Sequence, residues 1–236
     1  MLRRNLRAMC YTFRVFAAPQ VRLLFVEAAN GVLYAHGCLL NFGRASGIGL
    51  MPLSTPVSRR ALRHSRVIDV QAYVRDDGLW DIDARITDIK SYDATLASGP
   101  RPAGTPLHDL HLRITVDREL TIVEAEAASD AVPYPGFCDT IGPAYSALIG
   151  LNLLKNFRRD LKQRLAGIAG CTHLTELAQV LPTATVQAFA GDVWSTRDGE
   201  NADLSHEKPF QLDKCHALRT DGGAVAQYYP RWVAKA

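Results

Sequence analysis

The stretch that decides the fold class is residues 68–87, Ile-Asp-Val-Gln-Ala-Tyr-Val-Arg-Asp-Asp-Gly-Leu-Trp-Asp-Ile-Asp-Ala-Arg-Ile-Thr. Ile68, Val70, Ala72 and Val74 alternate with Asp69, Gln71 and Tyr73, the two-residue period of a strand with one buried face. Asp77-Gly78 is a hairpin turn signal. Trp80, Ile82, Ala84 and Ile86 then alternate with Asp81, Asp83, Arg85 and Thr87 as a second, antiparallel strand. Upstream, residues 52–66 read as a basic, Pro-bearing lead-in. Downstream, residues 91–106 form a loop rich in Gly, Pro, Ser and Ala. A third strand places Leu110, Leu112, Ile114 and Val116 inward and His111, Arg113 and Thr115 outward, and residues 120–128 make a fourth.

Beyond the meander the period changes to that of helices. Residues 139–151 read as one helix, with Ile141, Ala144, Tyr145, Leu148 and Ile149 on a stripe. Leu153, Leu154, Phe157, Leu161 and Leu165 make a second, ended by Gly167, and residues 172–181 a third, with Pro182 behind it. Residues 190–209 read as a polar loop before a short tail, 210–232. Strands first and helices afterwards give an α+β fold, an antiparallel meander with C-terminal helices packed on one face.

Composition bounds the function. The chain has 236 residues, 47% hydrophobic and 22% charged, which is globular, and no apolar run reaches the roughly 18 residues of a membrane span. The net charge of +3 joins two unlike pieces: residues 1–50 carry six Arg and one acid, Glu27, whereas residues 51–236 carry 21 basic against 23 acidic residues. The body therefore lacks the basic excess of a nucleic-acid binder. Residues 1–50 read as an Arg-rich leader outside the fold, either upstream translation before a start at Met51, a domain extension or a targeting segment. Residues 51–236 are taken as a single domain. Five widely spaced cysteines, Cys10, Cys38, Cys138, Cys171 and Cys215, are no disulfide framework, so a reducing, cytoplasmic setting is expected.

No phosphate-binding Gly loop, nucleophile elbow, HExxH or CxxC occurs. The candidate chemistry lies at element ends: His108 and Asp109 at the entry of the third strand, Cys138 where strands give way to helices, and Cys171 and His173 opening the third helix. A thiol at a helix N-terminus is favoured as thiolate, which suits a nucleophile or a metal ligand. Thiolates with imidazole or carboxylate partners suit zinc or an iron–sulfur cluster. The competing readings are structural. Cys138 and Cys171 can be core thiols, and His108, sharing parity with Leu110, can be a buried, hydrogen-bonded histidine. Asp109 and His111 share the outward face. On a regular helix His173 points about 200° away from Cys171. Cys215-His216 reads as tail packing. Asp76, Asp77, Asp81, Asp83 and Asp88 read as one acidic hairpin with a charged solvent face.

Four blocks, Arg-Asp-Asp-Gly-Leu-Trp-Asp-Ile-Asp (75–83), Leu-His-Asp-Leu-His-Leu-Arg-Ile-Thr-Val-Asp (107–117), Gly-Cys-Thr-His-Leu-Thr-Glu-Leu (170–177) and Leu-Asp-Lys-Cys-His-Ala-Leu (212–218), occur in order. Over residues 51–236 they resemble an uncharacterised bacterial family, domain-of-unknown-function family 2889, which supplies no activity. The order of elements over residues 107–180 is also similar to NifU/SufU-type iron–sulfur scaffold proteins. That resemblance sets Gly136-Phe137-Cys138 and Gly170-Cys171 at two ligand positions and His108-Asp109 at a third, without that family's Cys. It implies a zinc or iron site drawn from His108, Asp109, Cys138, Cys171 and His173. Two other classes stay open. One is a small-molecule enzyme with Cys171 as nucleophile, or a metal-activated water, and His108 or His173 as base. The other is a non-catalytic domain that meets a protein partner through the acidic hairpin and the aromatic tail, residues 228–232.

Overall fold

A computed structural model describes residues 25–27, 33–35, 53–196 and 208–234. The chain divides into two units, Met1–Ser58 and Arg59–Ala236. In the first, β1 (Phe25–Glu27) and β2 (Leu33–Ala35) pair as a short antiparallel hairpin. The remainder of residues 1–50, including Cys10 and Cys38, lies outside the described residues.

In the second unit the alternation around Asp77-Gly78 produces β3 (His64–Val74) and β4 (Trp80–Lys90). Gly78 takes a positive φ of 84° at the turn, a conformation only glycine adopts freely. The two strands pair without interruption from Val74↔Trp80 to His64↔Lys90. Both are longer than their apolar periods indicate, because the ladder continues past the end of each inward apolar run. The loop that follows contains a small ribbon, β5 (Ala94–Leu96) and β6 (Gly99–Arg101). The third and fourth strands of the meander are β7 (Pro106–Val116) and β8 (Ile122–Ala131), and the main sheet has the order β3-β4-β7-β8, antiparallel throughout. Ile82, Ile86, Leu110, Leu112, Ile114 and Val116 line its inner face and are fully or almost fully buried.

The helical half follows the expected order with three differences. Residues Cys138–Leu148 form a 3-10 helix in place of an α-helix. Pro143 lies inside it, where a missing N–H and the ring disfavour an α-helical ladder. α1 (Phe157–Leu165) starts later than its apolar stripe, after Asn156 in the left-handed region at φ 58°. α2 (Thr172–Phe189) runs through Pro182. Thr185 and Phe189 extend its buried stripe beyond the proline, and Phe189 packs on Trp80 at 4.9 Å between ring centroids, so tertiary packing overrides the break. A last helix, α3 (Gly223–Tyr228), and a 3-10 turn, Pro230–Trp232, lie in the tail. The fold is α+β, helices on one face of the meander. Among the described residues no helix is long and apolar enough to cross a membrane.

Candidate metal centre

The inward parity of β4 runs Trp80, Ile82, Ala84, Ile86 and then Asp88. This carboxylate occupies the next place on the apolar face and is only 2% exposed. The antiparallel register sets Arg66 of β3 directly opposite it on one side and His108 of β7 on the other. Arg66, Asp88 and His108 therefore form a row across three strands, and the β4–β7 pairing slips by a bulge immediately after Asp88. Bulges commonly re-aim side chains beside functional sites.

The first turn of α2 lies over this row. Gly170 lets the chain entering α2 pass close to the end of α1: a Cβ there would stand 2.4 Å from the Leu165 carbonyl oxygen. Cys171 follows as N-cap in extended conformation, its carbonyl accepting from Thr175 N–H at 2.9 Å. The buried Tyr145 hydroxyl bridges the cap, donating toward the Cys171 carbonyl at 2.9 Å and accepting from the Cys171 N–H at 3.1 Å. His173 and Glu176, three apart and so on one helix face, then project onto the row.

Both Asp88 oxygens are engaged. Oδ1 accepts from Arg66 Nε and His64 Nε2, each at 2.8 Å. Oδ2 accepts from Arg66 Nη2 at 2.8 Å and His108 Nδ1 at 3.1 Å. His173 Nε2 lies 3.9 Å from the same Oδ2. Arg66 Nη1 is tied to Glu176 at 2.6 Å, which balances part of its charge. Burial, the largest single influence on Asp88, favours its neutral form, but the Arg66 bonds and charge, His64 and His108 together outweigh it and hold the carboxyl at about 2. An ionised carboxylate only accepts, so the facing His108 nitrogen carries its proton.

The His108 and His173 rings stack at 3.7 Å between centroids, tilted by 32°. Burial pushes both imidazoles below their usual range, and for His108 the neighbouring His173 charge adds to the effect. Neutral imidazole is the form that binds metals. One ligand atom from each of Asp88, His108 and His173 lies within 4.8 Å of the other two. Two imidazoles and a carboxylate are a donor set for zinc or non-haem iron(II) with positions left for water or substrate.

The expected ligands divide between places. His108 and His173 meet. Cys171 Sγ stands 4.0 Å from His173 Nδ1, because a capping residue with extended dihedrals escapes the helical screw that would turn the two apart. Cys138 opens the 3-10 helix, half-buried against the core, and belongs to neither group of clustered ligand atoms among the described residues. Asp109 sits on the opposite sheet face, where Arg85 binds both its oxygens at 2.7 and 2.6 Å. With His111 and Asp130 it makes the second such group. Cys215 and His216 are exposed in the tail.

Asp88, His64, Arg66 and Glu176 were not among the expected site residues. Continuing the β4 parity by one step identifies Asp88 as an inward acid, and extending the hairpin register places Arg66 opposite it. Reading the acids as a single charged hairpin concealed this.

Residues 64–187 match a protein family described as a protein of unknown function, DUF2889. No curated protein and no solved structure matches the chain.

Proposed function

The chain belongs to the DUF2889 family, and for this member we propose a divalent-metal-binding domain whose ion, zinc or iron(II), is held by Asp88, His108 and His173. The observation that carries the reading is the convergence of two neutral imidazoles and a buried, ionised carboxylate from β4, β7 and α2, with ligand atoms within 4.8 Å. Oδ2 of Asp88 faces both histidines and also accepts from Arg66 Nη2, while His64 and Arg66 Nε hold Oδ1. This is the division between ligand and supporting partners that orients metal sites. An ion takes the place of the proton on His108 Nδ1, which passes to Nε2 while the ring stays neutral; binding weakens as pH falls because protons then compete for the imidazoles. The donor set, one carboxylate and two imidazoles, suits a mononuclear ion better than an iron–sulfur cluster, whose ligands are mainly thiolates.

The Cys171–His173 separation of 4.0 Å favours a second reading, an enzyme in which Cys171 is nucleophile and His173 its base. A groove of about 480 Å3 between α1 and α2, lined in part by Thr172, Thr175 and Glu176, runs beside this end of α2.

The test is elemental analysis of the purified chain with zinc or iron(II) restored under reducing conditions. Near-stoichiometric metal, lost in His108→Ala and His173→Ala but kept in Cys138→Ala, supports the site. Less than about one-tenth equivalent after reconstitution rules it out. Metal-free protein whose Cys171 alone reacts rapidly with a thiol reagent favours the second reading.

A further inference from the structure

The outer edge of the sheet carries a feature that metal binding does not use. Among the described residues β3 pairs on one side only, with β4. It is 11 residues long, contains no Pro or Lys, and pairs with β4 without a bulge. Proteins commonly blunt such edges with those devices. Its apolar side chains stay in water: Val67 is 55%, Tyr73 48% and Val74 69% exposed. The opposite edge, β8, is treated differently. It carries Glu124, Glu126 and Asp130, and the Cys138–Leu148 helix packs on it.

We propose that β3 is a self-association edge, pairing antiparallel with β3 of a second copy about a two-fold axis at Val70 to give a continuous eight-stranded sheet. The hydrogen-bonding phase supports this. Arg75 N–H bonds the Leu79 carbonyl at 2.9 Å, so the odd-numbered residues of β3 exchange bonds with β4. The N–H and C=O groups of residues 66, 68, 70, 72 and 74 therefore point outward, unpaired with the backbone of any described residue and open to a partner strand.

Side-chain complementarity selects the register. With Val70 on the axis, Asp69 faces Gln71 of the second copy, Val67 faces Tyr73 and Ile68 faces Ala72. An amide opposite a carboxylate and a β-branched residue opposite an aromatic one are favourable cross-strand pairs. Neighbouring registers of the same phase set Asp69 against itself, against Tyr73 or against Val67. A two-fold axis closes the assembly at two copies, because β8 offers no equivalent edge. One strand a side is a small interface, so the dimer dissociates at concentrations on the order of micromolar.

Sedimentation velocity on the full chain between about 1 and 200 µM tests the proposal. A reversible monomer–dimer equilibrium is expected. Val67→Lys with Tyr73→Lys, whose side chains both stand exposed on the outer sheet face, abolishes it at unchanged thermal unfolding temperature. Gln71→Lys, opposite Asp69 of the second copy, tightens the dimer several-fold, and Gln71→Asp weakens it. A monomer at every concentration, assemblies larger than two, or a dimer indifferent to the double Lys variant overturns the proposal. Equal effects of the two Gln71 variants overturn the register.

Discussion

Arg66 grips Asp88 in parallel, Nε on Oδ1 and Nη2 on Oδ2, both at 2.8 Å. Such a bidentate pair joins charge to fixed geometry. It links the edge strand to the second strand at the level where α2 touches the sheet, and it keeps a buried carboxylate ionised beside two imidazoles. The side chains of the cluster are therefore held in place by the protein's own bonds.

Asp88→Asn keeps the side-chain shape but removes the charge that balances Arg66. Equilibrium denaturation at neutral pH is expected to show a loss of about 2 kcal/mol or more. The acid limb carries a second signature. Asp88 is depressed from 3.8 to about 2, so its contribution, about 2 kcal/mol, is complete above 3.8 and disappears as pH falls toward 2. In that window Asp88→Asn should lose less stability than the unaltered protein. An identical slope would show that the carboxylate titrates no differently in the folded state.

His108 and His173 are lowered from 6.5 by burial. Below 6.5 the unfolded chain takes up protons that the folded chain still refuses, so stability declines as pH falls through that value and is insensitive to these groups above it. Thermal unfolding between pH 7.5 and 5 checks the direction. His108→Gln should flatten the decline, since its side chain no longer titrates.

Metal binding to the folded state raises stability by mass action, about 2.7 kcal/mol when free metal is one hundred times the dissociation constant. Zinc titration should thus raise the unfolding temperature, and a chelator should reverse it. His64→Ala, which removes a bond to Oδ1 at 2.8 Å and no ligand atom, should weaken affinity by about 10-fold. The loss in His108→Ala should be far larger. Equal losses in the two variants would contradict the division of Asp88 into a ligand side and a support side.

Tyr145→Phe deletes the hydroxyl that bridges Cys171 and also meets Thr175 Oγ1 at 2.9 Å. The Cys171 N–H, half-buried and left unpaired, should cost about 1–3 kcal/mol. Because the bridge fixes the start of α2, metal affinity should fall with stability although Tyr145 touches neither imidazole. Unchanged affinity would mean that His173 is positioned by the sheet alone.

Much of the architecture was legible because it depends on local periods. Alternation from Ile68 to Ile86 and around Leu110 to Val116 needs no partner to be recognised, and Asp77-Gly78 names its own turn. The element ends were not legible. His64, Arg66 and Asp88 lie beyond the inward apolar run of their strands, where the pattern falls silent while the hydrogen-bond ladder continues. Pro182 read as a stop because its local cost is visible, whereas the compensating contact of Phe189 with Trp80 comes from another element. For the site, side-chain type singled out His108, His173 and Cys171, but Asp88, read with four neighbouring acids as one charged hairpin, was legible only by carrying the β4 parity one step past Ile86.

Sequence by itself determined the α+β class, the antiparallel order, the buried faces of β4 and β7 and the placing of reactive side chains at element ends, whereas the apolar face read for β3 is largely exposed. These follow from the fixed two-residue and 3.6-residue periods and from turn chemistry, which act over a few residues. Only the tertiary structure decided which side chains meet. Asp88, His108 and His173 are separated by 20 and 65 residues in the chain, and their meeting depends on strand register, a bulge and the resting place of one helix end. Those are outcomes of packing the whole domain, and no local pattern records them.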